Sequence, residues 1–70
     1  MKDPDLIHLF EAVDRWKTMA QDDPLNSFHI KIHDYDAERR TVSFSWYDGK
    51  DGWEDDLGFD EFEKRFEPLY

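Results

Sequence analysis

Seventy residues allow one domain, residues 1–70, and a chain this short buries only about 60% of the surface its unfolded form exposes. There is no cysteine, which excludes disulfides and thiolate zinc sites, so the Phe, Trp and Tyr side chains that make up 17% of the chain have to close the core. A formal net charge of −9 repels nucleic-acid phosphates and anionic lipid and attracts basic partners at a distance, and no apolar run approaches the ~20 residues that span a bilayer.

The opening MKDPDLIHLF lacks the basic start and continuous apolar run of a secretory signal, so the expected location is the cytoplasm. Asp3 and Pro4 suit a helix start, Asp as a cap for free N–H groups and Pro where no hydrogen bond is lost. The helix is read through DLIHLFEAVDRWKTMAQ, with Leu6, Leu9, Phe10, Val13 and Ala20 inward, Ile7 and Trp16 on the flanks, and Asp22, Asp23 and Pro24 at its end.

From Ser27 the period becomes two. Phe28, Ile30 and Ile32 alternate with His29, Lys31 and His33, and after the polar loop DYDAERR the pattern recurs as Val42, Phe44 and Trp46 against Thr41, Ser43, Ser45 and Tyr47. These two runs read as an antiparallel hairpin whose apolar side meets the first helix.

Asp48-Gly49 and Asp51-Gly52 are turn dipeptides, followed by a weak third strand over Trp53 to Leu57 with Trp53, Asp55 and Leu57 on one side and Glu54 and Asp56 on the other. Carboxylates there suit an edge strand, since they oppose edge-to-edge aggregation. Asp60 and Glu63 match a capping box that opens a short helix, with Phe59, Phe62 and Phe66 on its apolar side, Pro68 at its end, and Leu69 and Tyr70 over the core's rim.

The expected fold is thus α+β: a single small domain in α-β-β-β-α order, its antiparallel three-stranded sheet packed on an N-terminal helix and a short C-terminal one. That order resembles the double-stranded-RNA-binding domains, which place lysines at the start of the second helix to hold phosphates. Asp60, Glu61 and Glu63 stand there in this chain, so direct nucleic-acid binding is not expected.

Catalytic and metal chemistry find little support. His29 and His33 are about 13 Å apart on an extended strand, too far for one metal ion, and His8 with Glu11 lacks the further helices and carboxylates of a di-metal site. The runs from Asp34 and from Asp48 both miss the glycine that an EF-hand loop requires at its sixth position, which Arg39 and Trp53 fill instead. There is no nucleophile elbow, phosphate-binding glycine loop or catalytic cysteine. No catalytic residue, metal or cofactor is expected, and the chain is read as a non-enzyme.

Between Asp48 and Glu63 stand eight acidic residues and one lysine, a net of −7. Helix-start chemistry explains Asp60, Glu61 and Glu63. The remainder, with its flanking tyrosine, is the candidate partner-binding site: Tyr47, Asp48, Asp51, Trp53, Glu54, Asp55 and Asp56, in which aromatic anchors sit beside charge as they do in tight interfaces. The expected function is an inhibitor whose carboxylates occupy a basic protein surface, such as that of a nucleic-acid-binding protein or nuclease. In size and charge the chain resembles small phage-encoded inhibitors of host nucleases, including anti-CRISPR proteins, and the immunity proteins of nuclease toxins. The alternatives are an assembly or scaffold domain, including a homodimer through an uncovered sheet face, and a small enzyme or cation-binding protein.

Overall fold

The computed structural model describes residues 2–47 and 52–70. In chain order they form α1 (Asp3–Ala12), β1 (Arg15–Thr18), β2 (His29–Asp36), β3 (Thr41–Tyr47), β4 (Gly52–Gly58), α2 (Phe59–Arg65) and β5 (Phe66–Pro68). All neighbouring strands pair antiparallel in one sheet, in the order β4-β3-β2-β1-β5. The α+β class and the β2–β3 hairpin are as expected. The three-stranded sheet and the five-element order are not, and the two added strands, β1 and β5, also break the likeness to double-stranded-RNA-binding domains.

The first correction lies at the end of α1. The helix keeps Leu6 and Phe10 buried but stops at Ala12, where the Val13 N–H reaches the Leu9 carbonyl at 2.8 Å and the backbone turns extended. Trp16 and Thr18 then point inward from β1 while Arg15 and Lys17 point out, and Trp16 is fully buried rather than an edge residue. Ala20, expected in the core, is exposed. In a four-residue window, Trp16 placed three after Val13 satisfies a helical period as well as a strand period. The sheet decides between them: β1 lies between β2 and β5, and a helix there would leave two strand edges unpaired.

The second correction concerns α2. Its cap is Gly58, without a side-chain cap hydrogen bond, so Asp60 lies inside the first turn rather than at the cap. At its far end Phe66 does not continue the helix. It enters β5 against Thr18, and Pro68 pairs opposite Trp16 at the sheet's edge, where a missing N–H costs no ladder bond. Leu69 and Tyr70 remain exposed instead of covering the rim.

Both helices cover the same side of the sheet. The core there is a cluster of rings: Phe62 lies 5.4 Å from Phe10, 5.0 Å from Trp16, 5.7 Å from Phe44 and 4.7 Å from Phe66, centroid to centroid. Leu6, Ile30, Ile32, Val42, Trp46 and Phe59 complete it.

One irregularity in β2 maintains this division of sides. Ile32 pairs with Phe44 and Asp34 with Ser43, so His33 is the extra residue of a β-bulge. Strict alternation from Ile30 and Ile32 would turn Asp34 into the core. The bulge turns Tyr35 inward instead, 5.9 Å from Phe10, where its hydroxyl donates to Glu11 at 2.7 Å and so titrates above the ordinary tyrosine range.

A single arginine ties the two helix starts together. Arg40 donates to Asp3 in the first turn of α1 (2.8 and 2.9 Å) and to Asp60 in the first turn of α2 (2.9 and 3.2 Å). Its carbonyl accepts the Phe59 N–H, and its backbone is left-handed, with φ of 56°, a conformation that costs a side-chain-bearing residue. These hydrogen bonds hold the carboxyls of Asp3 and Asp60 below their ordinary value of 3.8.

The sign of the resulting pH dependence follows. Carboxyls depressed in the folded state contribute stability that is complete above their unfolded pKa and is lost as pH falls through the folded one. Arg40→Gly suits the left-handed backbone and removes the whole side chain, both its hydrogen bonds to the two carboxyls and its contact over the Phe59 ring at 5.8 Å. We expect it to lower urea resistance at pH 6, with the gap to the parent narrowing toward about pH 3. Parallel stability curves over that range would contradict the clamp.

Candidate interaction edge

Five of the seven site residues read from sequence lie on described segments. Asp48 and Asp51, with most of the double turn they belong to, lie outside the described residues. The expected weak third strand is instead β4, whose seven residues all pair with β3, from Tyr47 opposite Gly52 to Thr41 opposite Gly58. It is an edge strand, as the carboxylates suggested. Gly52 is required at its start, because a Cβ there would stand 2.8 Å from the Trp46 carbonyl oxygen.

Strand alternation divides the candidate residues between two surfaces. Trp53 and Asp55 lie on the helix side of the sheet, and Tyr47, Glu54 and Asp56 on the opposite side. Trp53 stacks on Trp46 at 5.9 Å with ring planes 16° apart and meets the edge of Phe28 at 5.6 Å, yet stays 41% exposed. It is therefore both a rim residue of the core and an available aromatic surface. Beyond it, Arg65 lies over the Trp46 ring at 5.1 Å and donates to Asp23 at 2.8 and 3.2 Å. That pair holds the Asp23 carboxyl below its ordinary range, and Asp55 adds to the field that keeps Arg65 protonated.

On the open side, Tyr47 stacks on His29 at 5.7 Å. Glu54 stands opposite Ser45 and Asp56 opposite Ser43, and the short serines leave a shallow trough along β3 and β4. One depression of about 280 Å³ is lined by His33, Ser43, Glu54 and Asp56, and a second of about 250 Å³ by Ser45, Tyr47 and Glu54. His33 hydrogen-bonds Ser45 from the bulge. Sequence alternation alone hid this contact, because it requires the extra residue.

The larger omission was cationic. Arg15 and Lys17 fall within the run that the sequence pattern assigns to a long first helix, but β1 carries them onto the open side beside Lys31. Lys31 between two histidines was the visible signal; the other two depended on a strand that the sequence did not reveal. Among the described residues no group of three or more His, Asp or Glu side chains is arranged to hold a metal ion, and no helix is long and apolar enough to cross a membrane. No family model, curated protein or solved structure matches the chain.

Proposed function

We propose that this chain is a small acidic interaction protein that works by binding, without a cofactor, and that its partner is a basic protein surface of the kind that otherwise holds nucleic acid. The carrying observation is β4. Glu54, Asp55 and Asp56 are consecutive and exposed, so the free edge presents carboxylates on both sides of the sheet, and Trp53 offers a partly exposed ring next to them. Carboxylates spaced along an extended strand substitute for phosphates in a basic groove, and an aromatic anchor adds affinity that charge alone does not. Inhibition follows from occupancy, in the style of anti-CRISPR proteins and nuclease immunity proteins, within the cytoplasm.

The test is capture from a lysate of the organism that carries the gene. The parent chain should retain a basic, nucleic-acid-binding protein that a short DNA duplex displaces, while the combined change Glu54→Lys, Asp55→Lys and Asp56→Lys should reduce capture at least tenfold with little change in melting temperature. Capture that neither the duplex nor the charge reversal affects would overturn the reading.

A further inference from the structure

The open side of the sheet has a charge arrangement that folding alone does not explain. Arg15 and Lys31 are direct cross-strand partners, and like charges placed opposite one another destabilise a sheet. Lys17, beside Arg15 on the same strand, adds a third cation to that side. Among the described residues none of the three has an ion-pair partner, and Glu54 and Asp56 on the far side of β3 have none either. The formal charge of the chain is −9, and this one side sets its three cations on β1 and β2 among carboxylates: Glu54 and Asp56 on β4, Asp34 and Asp36 farther along β2, and Glu67 of β5 opposite Lys17.

The register makes the pattern self-complementary. One row across the sheet reads Arg15, Lys31, Ser45, Glu54. Lys31 and Glu54 are each one strand from Ser45, about 4.8 Å to either side. A two-fold axis running along β3 past Ser45 therefore lays Glu54 of one copy over Lys31 of the other, with Arg15 alongside, and does the same in reverse. Shape follows charge. The ridge made by the long side chains of His29 and Lys31 on β2 meets the trough that Ser43 and Ser45 leave along β3 and β4, and Tyr47 lies near the axis one row away. In the neighbouring row Asp56 comes over His33 and Asp34, a like-charge approach that opposes association, so the attraction rests on the row of Lys31, Arg15 and Glu54.

We infer that the open side of the sheet is an interface for a second copy of this chain, a face-to-face two-fold dimer in which Lys31 and Arg15 of each copy hold Glu54 of the other. A nucleic acid is the less suitable occupant, because Glu54, Asp56 and Glu67 stand among the cations and would face its phosphates. With the axis along β3 only β2, β3 and β4 of the two copies overlap, two strand spacings or about 10 Å, so the footprint is small and the dimer is a weak one. The inference is independent of the basic-partner reading, although both use Glu54.

Sedimentation equilibrium on the full chain from 5 to 500 µM, at about 0.1 M salt, tests it. The parent should dimerise, and Lys31→Glu and Glu54→Lys should each weaken the dimer at least tenfold by placing like charges face to face. Mixing the two variants in equal amounts should restore association, because each then supplies the charge that the other lacks. Circular dichroism confirms that both variants fold. A parent that stays monomeric throughout, a dimer that neither substitution weakens, or a mixture that fails to re-associate would each overturn the inference.

Discussion

Phe62→Ala should cost the chain a large share of its folding stability at room temperature. Phe62 is completely buried and packs on rings from α1, β1, β3 and β5, so its removal opens a void bordered by four elements at once. Truncating a buried phenylalanine costs about 3–5 kcal/mol, and a domain of this length has a total stability of roughly 3.5–10 kcal/mol. The effect is large here because α2 is only seven residues long and is helical only while docked. Phe62→Leu fills part of the void and should fall between variant and parent. Urea titration followed by tryptophan fluorescence reads both, and a midpoint for Phe62→Ala close to the parent's would show that the ring cluster is not the centre of the core.

Deletion of His33 should be tolerated, whereas deletion of Lys31 should not. His33 is the extra residue of the bulge, and without it the ladder runs Ile32 to Phe44, Asp34 to Ser43 and Tyr35 to Val42 with no change of side. Only the hydrogen bond to Ser45 and a local twist are lost. Removing Lys31 shifts Ile32 to the open side and His33 into the core position opposite Phe44, which forfeits roughly 1.5–3 kcal/mol of burial and adds a buried polar ring without a partner. Circular dichroism and urea midpoints should show a folded protein for the first deletion and a mostly unfolded one for the second. Equal losses would mean that the bulge itself is required.

These two results bear on how far the elements could be read from the residues. The β2–β3 hairpin was legible because Ile30 and Ile32 in β2, with Phe28 just before it, and Val42, Phe44 and Trp46 in β3 alternate with polar residues, enough to exclude a helical period. The start of α1 was legible from Pro4 and the Leu6–Phe10 spacing. At the candidate edge, the strand alternation of Trp53, Asp55 and Leu57 against Glu54 and Asp56 was also correct, as was the edge position. What alternation could not show is that the side on which Tyr47 and Glu54 stand also bears Arg15, Lys17 and Lys31.

By itself, then, the sequence determined the α+β class, the aromatic makeup of the core, the central hairpin and the concentration of carboxylate between Asp48 and Glu63. Those properties follow from composition and from periodicity over segments long enough to average out exceptions. Tertiary structure alone decided that residues 15–18 are a strand, that Phe66 leaves its helix, that a bulge at His33 keeps Asp34 out of the core, and that Arg40 joins two helix starts. Each of these is too short to carry its own period, or depends on a partner far away in the chain. The hydrogen-bonded edges of neighbouring strands, not local preference, settle such segments, and they also bring three cations onto one side of an otherwise acidic protein.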